Sequence, residues 1–74
     1  MKANARERFV DLAEKRVGKA LKDIKLISNL SNRSNYDYKQ EDVTKIMKAL
    51  KKALDDCKLR FEQGGKEEDE VFKL

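Results

Sequence analysis

Two apolar rows, each stepping by three and four residues, flank a segment with no such repeat, and that arrangement admits few folds. In the first row Val10, Ala13, Val17, Ala20, Ile24 and Ile27 follow one another at steps of 3, 4, 3, 4 and 3. That spacing keeps side chains on one stripe of an α-helix and, when sustained, forms a coiled-coil seam. Phe9, Leu12, Leu21, Leu26 and Leu30 lie beside the stripe. They widen it to roughly 220° of the helix circumference, against the ~100° of an ordinary surface helix. A helix with so broad an apolar face needs more than one neighbour. The second row, Val43, Met47, Leu50, Leu54, Cys57 and Phe61, steps by 4, 3, 4, 3 and 4, with Ile46 and Ala53 alongside.

Between the rows, from Ser28 to Asp37, the repeat stops. Ser31, Asn32, Arg33, Ser34, Asn35 and Asp37 supply side chains that compete with helical hydrogen bonds and favour turns and caps. Asp37-x-x-Gln40 has the form of a capping box for the second helix, with Lys39 as the other candidate N-cap. Glu41 and Asp42 then fall in a first turn, where the helix dipole favours negative charge. Lys58 and Arg60 suit the far end, and Gly64-Gly65 closes it. The pattern predicts a helix over about 4–30, a loop over about 31–37 and a helix over about 38–62. Residues 63–74 form an acidic tail, too short and charged to fold alone and expected to be flexible. A loop so short makes the two helices antiparallel neighbours. The expected fold is therefore all-α, a helical hairpin. Such a hairpin leaves one side of each seam wet, so the sequence predicts a homodimer that closes into a four-helix bundle. Val10, Ala13, Val17, Ala20, Ile24, Ile27, Val43, Met47, Leu50, Leu54, Cys57 and Phe61 are its expected core.

Composition narrows the function classes. The 74 residues include no His, no Pro, no Trp and a single Cys. One thiol cannot form a disulfide within the chain, and a structural zinc site usually draws on four Cys/His ligands. Most nucleophile–base pairs of hydrolytic enzymes need a histidine. Asp55-Asp56 and Glu67 through Glu70 are contiguous rather than spaced to converge on a cation. Gly64-Gly65 follows a helix and precedes acids, unlike a phosphate loop. The expectation is a non-enzymatic protein with no cofactor, no metal and no small-molecule substrate. Cys57 sits on the apolar row and reads as a small hydrophobe. No run reaches the 18 or so apolar residues of a membrane span, and the first residues lack the apolar stretch of a signal peptide. With a lone thiol, this places the chain in the cytoplasm.

Charge is the remaining signal. Residues 1–62 carry 16 Lys/Arg against 10 Asp/Glu, a net +6, and the remainder carries 2 against 4. Arg8, Lys15, Lys19 and Lys22 fall within about 60° of one another on the first helix. Lys45, Lys48 and Lys52 form a second stripe on the second helix, and Arg33 lies in the loop beside Tyr36 and Tyr38. Such stripes usually only solvate a helix. The alternative is contact with nucleic-acid phosphates, which a dimer would double. The loop tyrosines are expected to cap the open end of the bundle, with the amides satisfying helix-end backbone groups; the alternative is a contact tip for nucleic acid or another protein.

The stretch from Asn29 to Tyr38 (Asn29-Leu30-Ser31-Asn32-Arg33-Ser34-Asn35-Tyr36-x-Tyr38), with Glu41-Asp42-Val43-x-Lys45-Ile46 and Ala49-Leu50, resembles a family of small bacterial proteins. Some of that family are carried on mobile elements. The resemblance spans about Phe9 to Phe61 and implies no activity. In architecture the chain is similar to the Rop family of plasmid copy-number regulators, helical-hairpin dimers that bind paired RNA loops. Cys57-x-x-Arg60-Phe61 before a polar tail carries that likeness, although the loop here is longer. It implies only that such a dimer can use its helix faces to bind nucleic acid.

Overall fold

The computed structural model describes residues 4–65 and is all-α: two helices, α1 (Ala5–Ser28) and α2 (Gln40–Glu62), with a 3-10 turn at Asn29–Ser31. Among the described residues there is no strand. The acidic tail read from the sequence lies, from Lys66 on, outside the described residues. The chain divides into two units between Asp37 and Tyr38.

In the first unit, Asn4 begins the helix. Its backbone is extended, at ψ 166°, and its side-chain oxygen accepts the Glu7 N–H at 2.7 Å. One of the four orphan donors of a helix start is thereby satisfied, an arrangement worth about 1 kcal/mol. The Asn4-x-x-Glu7 spacing is a cap signal that the apolar rows alone do not reveal. Neither glycine nor proline ends α1. Ser28 Oγ donates to the Lys25 carbonyl at 2.7 Å, and the last turn tightens into the 3-10 segment. Asn32 then leaves helical space at ψ 100°. It organises the turn that follows. Its side-chain oxygen accepts the Ser34 N–H at 3.0 Å, and its carbonyl accepts the N–H groups of Asn35 and Tyr36, both at 3.0 Å.

At the start of α2 the second of the two candidate caps is the one used: the Asp37–Gln40 box does not form, and the helix begins at Gln40 with Lys39 as N-cap. Asp42 decides this: its carboxylate accepts the Lys39 N–H at 2.8 Å. The lysine ammonium has no acceptor to return the bond, so only the acidic half of a capping box operates. At the other end the helix stops as expected. Gly64 takes φ 68°, and its N–H bonds to the Phe61 carbonyl at 3.1 Å, while the Gly65 N–H reaches the Arg60 carbonyl at 2.8 Å. These two crossing bonds form a Schellman closure, which needs a left-handed residue that glycine supplies without a Cβ clash.

No described residue is buried in the single chain. Val10, Ala13, Ile27, Tyr38, Val43 and Leu50 are half-buried, and every other described residue is exposed.

Candidate interaction faces

Much of each apolar row is exposed, although Val10, Ala13, Ile27, Val43 and Leu50 are half-buried. On α1, Val17 is 56% exposed and Ile24 47%. On α2, Leu54 and Phe61 are both 69% exposed. Local geometry explains this: a helix can shade its own side chains only through neighbours three and four positions away, which never enclose a leucine. Cys57 is exposed too, as a free thiol. The seam residues read from the sequence are thus displayed on two faces, one per helix, with no core within either unit.

The rims are charged. Lys15 bridges Asp11 at 3.2 Å and Lys19 bridges Asp23 at 2.9 Å on α1; Lys51 bridges Asp55 at 3.2 Å and Lys52 bridges Asp56 at 3.0 Å on α2. All four pairs span one turn and are open to water, so each contributes no more than about 0.5 kcal/mol. Three candidate phosphate contacts, Lys15, Lys19 and Lys52, therefore each carry a carboxylate partner. Arg8, Lys22, Lys45 and Lys48 take part in none of these bridges. Arg33 makes contacts of its own within the described residues. The lysine–aspartate spacing of four was legible in the sequence and qualifies each stripe. The Arg6 guanidinium also lies over the Phe9 ring, 5.8 Å from its centroid, a cation–π contact at the apolar rim.

Among the described residues no group of three or more His, Cys, Asp or Glu is placed to hold a metal ion. No described helix is long and apolar enough to cross a membrane. No family model matches the chain, and neither the curated proteins nor the solved structures searched contain a match.

Proposed function

We propose that this chain is a non-enzymatic interaction module. Its two helices fold back as an antiparallel hairpin, and two hairpins close into a four-helix bundle. The observation that carries the reading is the pairing of two continuous heptad rows with no buried residue among 4–65. Helices in proteins draw most of their stability from covering an apolar face rather than from propensity, and α1 and α2 each carry such a face. Alanines on α1 and larger side chains on α2 suit interdigitated layers. Sedimentation equilibrium tests it. The expected mass is about 17 kDa, twice the 8.6 kDa chain, with a thermal midpoint that rises with concentration. A mass of one chain and a fixed midpoint would refute it.

Nucleic-acid binding through the basic stripes is the second reading. Its support is the +6 balance of residues 1–62 and the candidate contacts Arg8, Lys22, Lys45 and Lys48, which lie outside the four lysine–aspartate bridges. The carboxylates beside Lys15, Lys19 and Lys52 weaken the field each stripe presents. The dimeric module is the better supported of the two.

A further inference from the structure

In the heptad repeat of α1, Val10, Val17 and Ile24 occupy one core position, and Ala13, Ala20 and Ile27 the other. Two rows flank this seam. The row that follows the alanines by one residue is Glu7, Glu14, Leu21, Ser28; the row that precedes the valines by one is Phe9, Arg16, Asp23, with Leu30 next in sequence register but in the 3-10 turn beyond the end of α1. On α2 the corresponding rows are Thr44, Lys51, Lys58 and Lys39, Ile46, Ala53, Arg60. When two seams pack antiparallel, rows of the same kind face each other, and their charges choose the partner.

The first kind of row matches between the two helices. The antiparallel register that sets Val17 against Leu50 and Ala13 against Leu54 also sets Glu14 across from Lys51 and Glu7 across from Lys58. The second kind does not match between them. In that register it opposes Phe9 to Arg60, Arg16 to Ala53, Asp23 to Ile46 and Leu30 to Lys39, a charge against an apolar group every time. On α1 it does match itself, whereas on α2 the same pairing opposes Lys39 to Arg60. Read antiparallel, Phe9-Arg16-Asp23-Leu30 is its own complement: apolar, positive, negative, apolar.

Resting on the dimer reading, we propose that the row Phe9, Arg16, Asp23, Leu30 is the face on which a second copy of this chain docks, antiparallel and two-fold symmetric. Each Phe9 then meets the partner's Leu30, and each Arg16 the partner's Asp23. This is an isologous interface, in which one self-complementary patch serves both subunits. Phe9 and Leu30 are 50% and 47% exposed, so both ends of the row have area to bury. Arg16 is in none of the four ion pairs, whereas Asp23 is held by Lys19 at 2.9 Å. Docking adds Arg16 to that bridge. Lys19 and the partner's Lys19 come close to the two-fold axis, and the Asp23 carboxylates offset their repulsion. The same register centres the axis between Val17 and Ala20 on α1, and between Met47 and Leu50 on α2. Each core layer then combines a small residue with larger ones: Val17 and Leu50 with the partner's Ala20 and the partner's Met47.

Charge exchange tests the proposal. Arg16→Asp and Asp23→Arg each convert two attractive contacts per dimer into repulsive ones, and each should raise the dissociation constant about tenfold. The double variant should return to within about threefold of the original. Mixing the two single variants should give a heterodimer tighter than either homodimer, since both of its contacts are attractive. Sedimentation of tagged and untagged chains reads all three. If the unaltered protein dimerises but the single variants associate as tightly as it does, with no preference on mixing, the docking face is wrong although the dimer stands. If the unaltered protein is a monomer at every concentration, the dimer reading itself fails. Capture of a different protein by an unaltered monomer would have the same consequence.

Discussion

Leu54 separates a helix that displays its apolar row from one that buries it. In the single chain its side chain is 69% exposed. Full burial of a leucine is worth about 1.5–3 kcal/mol, so the third or so shielded by its own helix amounts to less than ~1 kcal/mol. Leu54→Ala would forfeit that small contribution and change helix propensity only slightly, since both residues are strong helix formers. In the proposed bundle the same side chain fills a layer with Ala13, the partner's Ile24 and the partner's Val43. Truncation there leaves a cavity that small neighbours cannot refill, at about 2–5 kcal/mol per chain. The two copies in a dimer double the loss. Far-UV circular dichroism during urea denaturation, at about 5 µM and about 500 µM chain, separates the cases. The expected result is a large loss of stability in Leu54→Ala, with concentration dependence kept but moved to higher concentration. A change within ~1 kcal/mol at both concentrations would show that Leu54 stays in water, and the burial argument would fall with it.

Asn4→Ala removes the side-chain acceptor of the Glu7 N–H and should cost about 1 kcal/mol in the same denaturation, with fraying confined to the first turn of α1 by amide exchange. Gly64→Ala places a Cβ at φ 68°, where nothing crowds it from outside, so backbone strain alone should cost about 1 kcal/mol. Cys57 is exposed in the single chain, and its reaction with a thiol reagent should slow as concentration rises. Antiparallel docking sets it about 26 Å along the axis from the partner's Cys57, so oxidation should not link the folded dimer. For the nucleic-acid reading, Lys15, Lys19 and Lys22 all changed to Gln should weaken binding uniformly across sequences, with the salt slope flattened by about one unit per lost phosphate contact. Absence of gel retardation by the unaltered protein at micromolar concentration would end that reading.

The sequence made the helices legible because their apolar rows repeat without interruption, and a period of 3.5 residues belongs to no other element. Gly64-Gly65 was equally legible, since a left-handed closure leaves few residue choices. The start of α2 was not. Asp37 and Lys39 were both N-cap candidates, and the apolar pattern did not choose between them; Asp42 lies three residues after Lys39, where a carboxylate can reach back to the N-cap N–H. Three-dimensional geometry favours Lys39, whose N–H meets the Asp42 carboxylate at 2.8 Å. The basic stripes were legible as cations; their net charge was legible only by pairing each lysine with the aspartate four residues away, on the stripe's edge rather than within it.

The local devices in the chain are too weak to hold the helices by themselves, and this bears on how the module works. Of the four lysine–aspartate bridges described above, Asp11–Lys15 has the acid nearer the N-terminus, the orientation the helix dipole prefers. In Lys19–Asp23, Lys51–Asp55 and Lys52–Asp56 the order is reversed. Together with the Asn4 cap they offer a few kcal/mol at most, against about 1 kcal/mol or more of backbone entropy for every residue ordered. Gly18, in the middle of α1, subtracts about another 1 kcal/mol relative to alanine, and nothing lies within 4 Å of where its Cβ would be. Helix formation must then be linked to covering the apolar rows. In the proposed dimer the second copy supplies that cover, so the chain's concentration would set both how much helix exists and how much interaction surface is assembled.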